Sequence, residues 1–165
     1  MAPFRIERLN KQDRRDFDCQ VEPLNRYLRT QANQDQRRQF ASCFVLVQSS
    51  TEQVVGYYTL SASSIAMGDL PESSAAGLPR YPLVPVARVG RLAVDHRFVG
   101  QGLGSVLIYD ALKRARESDV VAYALVVDVK EAAEAFYKKL GFQLLTAEPR
   151  IYFYPIPSKS SQSNP

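Results

Sequence analysis

A glycine-rich turn, Arg97-Phe98-Val99-Gly100-Gln101-Gly102-Leu103-Gly104, is the segment of this chain best suited to chemistry. It follows an apolar run, residues 86–94, that predicts a strand, and it leads into an amphipathic stretch, Leu103–Glu117, that predicts a helix. The first N–H groups of a helix have no intrahelical acceptor and lie at the positive end of its dipole, so such a turn can bind a pyrophosphate. Glycines this closely spaced also fit an ordinary tight turn.

The glycine pattern excludes two common phosphate sites. No Gly-Lys-Ser/Thr follows it, as a Walker-type loop requires, and no acidic residue ends a second strand at the distance that a dinucleotide fingerprint needs. The pattern Arg/Gln-x-x-Gly-x-Gly/Ala between a strand and a helix instead resembles the acetyl-CoA signature of the GNAT N-acetyltransferase superfamily. In that family the turn holds the CoA pyrophosphate and the preceding strand pairs with the pantetheine arm. The resemblance implies cofactor contacts at Leu92, Ala93, Val94, Arg97, Val99, Gly100, Gln101, Gly102, Leu103, Gly104, Ser105 and Asp128.

A second motif, Ala135-Phe136-Tyr137-Lys138-Lys139-Leu140-Gly141-Phe142, has aromatic residues at the end of a predicted helix. By itself it is typical of an amphipathic helix whose aromatic side chains enter the core. It also resembles the FYxxxGF segment of GNAT enzymes, in which the tyrosine lies beside the CoA sulfur, and Tyr137 is the matching residue. A phenol with a pKa of about 10 stays protonated at neutral pH. The resemblance therefore implies that Tyr137 is the general acid for the departing thiolate.

The general base is left open by the sequence. Many GNAT enzymes carry a glutamate on the central strand, but residues 87–94 contain no carboxylate. Asp95 or a water molecule could serve, or the substrate amine could have a pKa low enough to arrive neutral, as suits an aminoacyl ester. Asp128 either supports the cofactor or caps the next helix. His96 is either a surface residue or a contact to cofactor phosphate or substrate.

The acceptor is indicated by resemblance outside the two motifs. Residues 17–29 and 31–38, with Leu78-Pro79-Arg80-Tyr81-Pro82 and Gly90-Arg91-Leu92-Ala93-Val94-Asp95, resemble the GNAT branch of toxins from toxin–antitoxin pairs. The likeness extends from about Arg5 to Tyr154. It implies that the protein acetylates the α-amino group of aminoacyl-tRNA, which blocks translation, and that a ribbon-helix-helix antitoxin neutralises it. A homodimer is common in that branch.

The charge of the chain is compatible with an RNA partner. The net charge is +4 and the pI is near 9.1, which fits a polyanionic ligand, CoA included. Clustered arginines equally fit a solvated helix face. Two other functions stay open: a GNAT enzyme for a small-molecule or protein amine, and a CoA-binding interaction protein without catalysis, against which Tyr137 argues. The residues predicted to contact tRNA are Arg37, Arg38, Arg80, Arg88 and Arg91.

Length and composition predict one globular domain over residues 1–157, followed by a polar, disordered tail at residues 158–165. No apolar run reaches the ~20 residues of a membrane-spanning helix, and the N-terminus lacks a signal-peptide core, so we expect a cytoplasmic protein. Cys19 and Cys43 show no metal-ligand spacing, so no metal site is expected. Cys43 lies in an apolar run and is predicted to be a core residue.

The elements that must position these residues alternate between strands and helices, which predicts an α/β fold with a mixed sheet. The resemblance implies the GNAT acyl-CoA N-acyltransferase fold, a mixed central sheet flanked by helices whose two neighbouring parallel strands splay apart around acetyl-CoA. Strands are predicted at residues 4–9, 42–48, 54–61, 86–95, 120–129, 142–145 and 151–154. Helices are predicted at residues 21–38, 103–117 and 130–140. A long loop is predicted at residues 64–85, with a short helical turn as an option within it.

Overall fold

The computed structural model describes residues 2–158 and contains a seven-stranded mixed sheet. The strand order is β1-β2-β3-β4-β5-β7-β6, and β4 and β5 are parallel neighbours. Apart from Ser158, the predicted polar tail lies outside the described residues. The strands are β1 (Phe4–Arg8), β2 (Ser42–Gln48), β3 (Gln53–Ala66), β4 (Leu83–Val94), β5 (Ala124–Asp128), β6 (Gln143–Ala147) and β7 (Arg150–Pro155).

The helical segments match the predicted positions with two changes of geometry. The predicted helix at residues 21–38 has a π-helical turn at Tyr27–Gln31, where the N–H of Ala32 donates to the carbonyl of Tyr27. The predicted helix at residues 130–140 begins as a 3₁₀ turn, Glu131–Ala133. The α-helices are α1 (Glu22–Arg26), α2 (Ala32–Arg37), α3 (Glu72–Ala75), α4 (Leu103–Glu117) and α5 (Glu134–Lys139).

The described chain divides into two compact units, the first made of residues 2–61 and 89–111. In it β2 pairs antiparallel with both β1 and β3, with Ile6 opposite Leu46 and Val45 opposite Tyr57. Its core contains Leu28 from the first helical segment packed with fully buried residues of the sheet. Cys43 belongs to this core, as predicted, and burial raises the pKa of its thiol to about 12.

The second unit consists of residues 62–88 and 112–158. Here β7 pairs antiparallel with β5 and with β6, so that Val126 lies opposite Phe153 and Asp128 opposite Ile151. The core includes Val86 of β4 and four residues of the later strands, namely Ala124, Val126, Leu145 and Phe153. Residues 124–127 are all buried, as predicted for a strand covered on both faces.

The loop predicted at residues 64–85 is shorter than expected at both ends, and the short helical turn considered within it is present. Strand β3 continues to Ala66, a 3₁₀ turn (Met67–Asp69) and α3 follow, and β4 already begins at Leu83. Burial alternates along residues 62–66, as expected of a strand with one solvated face. Serine and alanine dominate this stretch, so strand pairing outweighed weak local β-propensity. The N–H of Met67 donates to the carbonyl of Pro82 at 3.0 Å and closes the remaining irregular segment.

The strand predicted at residues 120–129 is shorter than expected. It begins at Ala124, and the side chains of Val120 and Val121 are 73% and 76% exposed. An apolar run marks a strand but not its first paired residue, which depends on the neighbouring strands. Within residues 2–158, no helix is both long enough and apolar enough to cross a membrane.

Candidate active site

The turn between β4 and α4 is exposed and shaped by two glycines. Gly100 and Gly102 have φ angles of +85° and +77°, which L side chains rarely adopt. A Cβ placed on either glycine meets no atom within 4 Å, so the space beside the turn is open. α4 runs 15 residues from Leu103, and the first N–H groups of such a helix lack intrahelical acceptors. The turn can therefore present backbone donors and a helix dipole to a phosphate.

The other residues predicted to contact the cofactor in the first unit lie at the end of β4, in the turn after it and in the first turn of α4. Ala93 packs into the first unit's core, so its side chain is not available to a ligand. Leu92, Val94, Gly104 and Ser105 are half-buried, and Leu103 is buried. Arg97, Val99, Gly100, Gln101 and Gly102 are exposed.

Asp95 fixes the start of this turn and is completely buried. Its Oδ1 accepts hydrogen bonds from the N–H and the Nε of Arg97, both at 2.9 Å. Its Oδ2 accepts from the Nη2 of Arg97 at 2.9 Å and from the N–H of Asp18 at 3.0 Å. Burial acts to raise the pKa of Asp95, but these hydrogen bonds outweigh it and lower the pKa. A carboxylate with four donors has no acceptor position left for a substrate proton, so Asp95 does not fit the role of general base.

The two residues after Asp95 have side chains at the surface. The guanidinium of Arg97 is held by Asp95, and this hydrogen bonding raises its pKa. The imidazole of His96 is 41% exposed, with its Nε2 4.0 Å from a carboxylate oxygen of Asp18. Among the described residues, no group of three or more His, Cys, Asp or Glu side chains could hold a metal ion.

Tyr137 belongs to the second unit, on the last turn of α5. Its ring is 7% exposed and makes edge-to-face contacts with Phe136 and Phe142, with centroids 4.9 and 5.5 Å apart. Burial raises the pKa of Tyr137 to about 12, so the phenol keeps its proton at neutral pH. The Tyr137 Oη has no hydrogen-bond partner among residues 2–158. Every fully buried side-chain oxygen or nitrogen among these residues does have a partner, so the Tyr137 hydroxyl is not fully shielded from solvent.

The C-terminal end of α5 is set by Gly141, whose φ is +100°. The sequence places this glycine just after the helix, and the structure confirms it. A Cβ at Gly141 would lie 3.2 Å from the ring of Tyr154, so close packing also favours glycine. The N–H of Phe142 donates to the carbonyl of Tyr137 at 3.0 Å, which ties the aromatic cluster to the helix end.

Asp128 ends β5, as predicted, and is half exposed. It forms an ion pair with Arg88 of β4, whose Nη2 donates to its Oδ2. The alternative that Asp128 caps the next helix is wrong, because that 3₁₀ turn has Lys130 at its N-terminus and no side-chain cap. A role beside the cofactor stays a prediction.

The five arginines predicted to contact tRNA differ in what their guanidinium groups contact. Arg88 is neutralised by Asp128. Arg91 lies over the ring of Tyr27, a contact that no spacing rule in the sequence predicts. Within the part of the chain that the structure describes, the side chains of Arg37, Arg38 and Arg80 form no ion pair with a carboxylate within 4.0 Å, and all three residues are exposed.

Comparisons with known proteins identify the family of this chain. The sequence model of the acetyltransferase (GNAT) family matches residues 6–142. A tRNA-acetylating toxin of Mycobacterium tuberculosis is 34% identical over 151 residues, which is 90% of this chain and 87% of that protein. A solved structure of AtaT complexed with acetyl-methionyl-tRNAfMet has a TM-score of 0.86 and 34% identity, covering 92% of this chain and 94% of the other. A structure of an AtaT mutant bound to acetyl-CoA and the C-terminus of the antitoxin AtaR has a TM-score of 0.78 and 30% identity, covering 94% of each chain.

The family match spans most of the chain, and the sheet with its parallel β4 and β5 has the GNAT fold. The chain therefore belongs to the GNAT acetyltransferase family and is an N-acetyltransferase that uses acetyl-CoA.

Proposed function

We propose that this protein is a toxin that acetylates the α-amino group of aminoacyl-tRNA and so blocks translation. The observation that carries the proposal is the likeness to AtaT in complex with acetyl-methionyl-tRNAfMet, at a TM-score of 0.86 and 34% identity. The tRNA-acetylating toxin of Mycobacterium tuberculosis, 34% identical over 151 residues, supports the same acceptor. An N-acetylated aminoacyl-tRNA has no free amine with which to accept a growing peptide.

The donor site is proposed to be the turn from Arg97 to Ser105 with the end of β4. When bound, acetyl-CoA supplies the activated acetyl group as a thioester. The chain contributes the open backbone at Gly100 and Gly102 and the dipole of α4, which favour the pyrophosphate. Residues Leu92–Val94 contribute backbone groups of β4, and Asp128 is proposed to support the site from the end of β5.

Tyr137 is proposed to be the general acid. Burial raises the pKa of its phenol to about 12, so the Oη keeps its proton at neutral pH. The Oη has no hydrogen-bond partner among the described residues. Asp95 is fully engaged by donors and Asp128 pairs with Arg88. We therefore assign removal of the amine proton to water. Aminoacyl esters have less basic amines than lysine, so a strong base on the protein is not needed.

The proposed partners are tRNA and an antitoxin. The net charge of +4 and the exposed Arg37, Arg38 and Arg80 support binding to the tRNA backbone. An antitoxin is proposed as the neutralising partner, and the structure of AtaT with the antitoxin AtaR supports this. The ribbon-helix-helix type of that antitoxin is proposed from the resemblance to the toxin branch alone. The site of action is proposed to be the cytoplasm, where charged tRNA is found, and the protein is proposed to be a homodimer.

The test is acetyl transfer from labelled acetyl-CoA to total aminoacyl-tRNA, compared with the same tRNA after deacylation. Label is expected on the charged tRNA alone, and ester hydrolysis should release it as an N-acetyl amino acid. The Tyr137→Phe variant, which keeps the ring and its packing, serves as the matched control with low transfer. Label on polyamines or peptides, with none on charged tRNA, would overturn the proposal in favour of an ordinary acetyltransferase.

A further inference from the structure

The guanidinium of Arg91 stacks on an aromatic ring within the first unit. Its central carbon lies 3.7 Å from the centroid of the Tyr27 ring, which is van der Waals contact. Arg91 is on β4 and its N–H donates to the Oγ1 of Thr59 at 3.1 Å, so both backbone and side chain are held. The residue is nevertheless exposed. One face of the guanidinium is covered, while its N–H edge stays available to a ligand.

Tyr27 is itself fixed from two sides. Its ring stacks on Tyr57 with centroids 6.3 Å apart and 16° between the planes. Its hydroxyl donates to the Oδ2 of Asp35 at 2.7 Å, and Asp35 also accepts from the Nε2 of Gln31 at 3.0 Å. Tyr27 is 6% exposed and lies in the π-helical turn. The ring beneath Arg91 is therefore a rigid platform.

The positive charge of Arg91 is not cancelled by an ion pair. Among residues 2–158, no carboxylate lies within 4.0 Å of its guanidinium. Arg88 and Arg97, by contrast, are bound to Asp128 and Asp95. Asp35 is close enough for Arg91 to contribute to lowering its pKa, but the carboxylate is occupied by Tyr27 and Gln31. Arg91 is thus an oriented cation with unused donors.

We propose that Arg91 binds a backbone phosphate of the acceptor tRNA and that Tyr27 is the positioning residue that sets its guanidinium for this contact. The inference rests on the proposed function and names one group of the RNA and the device that recognises it. A guanidinium has five N–H donors in a planar fork that fits phosphate oxygens. Holding the long side chain in place before binding reduces the conformational entropy lost when the phosphate arrives.

The competing explanation is that Arg91 merely shields the ring of Tyr27 from water. Long apolar stems often cover hydrophobic surface in this way. An Arg91→Met variant separates the two roles, because methionine still covers the ring but carries no charge. Arg5 provides a matched control for net charge: its guanidinium is paired with Glu7 and Glu52, and Arg5→Met also removes one positive charge.

The experiment measures binding of deacylated tRNA, without acetyl-CoA, to the full chain at several salt concentrations. Arg91→Met is expected to weaken binding about tenfold to a hundredfold. It should also reduce the slope of log affinity against log salt by about 0.7–0.9, the value for one lost phosphate contact. Arg5→Met should change the affinity by no more than about twofold and should leave the salt slope at the wild-type value. Equal effects of the two variants would overturn the phosphate contact.

Tyr27 is tested by keeping or removing its ring. Tyr27→Leu retains the charge of Arg91, so the salt slope should stay at the wild-type value while affinity falls about threefold to tenfold. Tyr27→Phe keeps the ring and should restore most of the affinity, and it guards against a leucine variant that fails to fold. In aminoacyl-tRNA acetylation, the loss should appear in KM rather than kcat. A phenylalanine variant as weak as Arg91→Met would overturn the positioning role.

The outcome is distinguishable from failure of the proposed function. If the wild-type protein labels no aminoacyl-tRNA, the proposed function fails before any variant is compared. If the wild type labels it and Arg91→Met keeps the full salt slope, only the phosphate contact at Arg91 fails.

Discussion

Arg97 donates to both carboxylate oxygens of Asp95, from Nε and Nη2 at 2.9 Å each, although Asp95 is completely buried and Arg97 is nearly half exposed. The carboxylate also accepts the N–H of Asp18, 77 residues away in the sequence. One buried side chain therefore joins the end of β4, the 3₁₀ turn at His96–Phe98 and the segment preceding α1. Asp95 acts on the glycine-rich turn, the proposed cofactor site, through Arg97 and the backbone.

Replacing Asp95 by asparagine should destabilise the protein without removing a base. The amide cannot accept at both positions, so at least one buried N–H donor loses its partner, at a cost of about 1–3 kcal/mol. The free energy of unfolding, measured by urea denaturation at neutral pH, should fall by that amount. Acetyl transfer at saturating substrate should persist in the folded fraction. A large fall in kcat with unchanged stability would indicate instead that Asp95 takes the amine proton.

The same pair predicts how stability depends on acid. The pKa of Asp95 is lower in the folded protein than its ordinary value near 3.8, so the unfolded chain binds a proton more readily. The stabilisation is complete above that ordinary value and is lost as pH falls below about 4. Wild type and Asp95→Asn should therefore approach each other in stability between about pH 4 and pH 2. A constant difference over that interval would contradict the lowered pKa.

Gly102 and Gly77 offer a matched pair for testing the cofactor turn. Both have positive φ, +77° and +82°, and a Cβ at either meets nothing within 4 Å. Alanine should therefore strain each backbone equally, by about 1–2 kcal/mol. Only Gly102→Ala should weaken acetyl-CoA binding in calorimetry, because its methyl group enters the space proposed for the pyrophosphate. Gly102→Asp should weaken binding further by adding negative charge. Equal affinity in the Gly102 and Gly77 variants would count against this site.

The sequence predicted the enzyme family and the main elements, and the comparisons confirm the family. Glycine spacing was sufficient to locate the turn before α4, because a positive φ at Gly100 and Gly102 is a local requirement. Residues 62–66 were missed as strand because serine and alanine have low β-propensity, and pairing with β4 decides their conformation. The site residues themselves stay predictions.

Contacts between distant positions could not be predicted. Nothing in the residues around Asp95 indicates its bond to the N–H of Asp18, and nothing around Arg91 indicates the ring of Tyr27 beneath it. Such pairs depend on which strand lies next to which helix, and a single sequence does not contain that information. Counting charges likewise could not show that Arg88 pairs with Asp128, which lies 40 positions later.

The ion pair of Arg88 and Asp128 should reduce the contribution of Arg88 to tRNA binding. Both side chains are partly exposed, at 39% and 45%, so their coupling is expected to be below about 1 kcal/mol and to weaken with salt. Asp128→Asn should release Arg88 and raise tRNA affinity in binding assays without acetyl-CoA. Asp119→Asn, which removes the same charge at an exposed position of the same unit, is the control. If both variants bind tRNA equally well, Arg88 does not face the RNA.

Tyr137→Phe should separate donor binding from transfer. The ring sits among Phe136 and Phe142 and its hydroxyl has no hydrogen-bond partner among the described residues, so removing the oxygen should leave folding and acetyl-CoA affinity unchanged. Loss of a general acid lowers kcat by about 10²–10⁴-fold.

Because burial raises the pKa of Tyr137 to about 12, its proton stays in place across neutral and mildly alkaline pH. The wild-type rate should then show no loss from this group below about pH 11, whereas an unburied phenol would begin to lose its proton near pH 10. An alkaline decline centred near pH 10 would mean that the Tyr137 hydroxyl is more solvated than its buried ring indicates. Turnover equal to wild type in the Tyr137→Phe variant would remove Tyr137 from the mechanism.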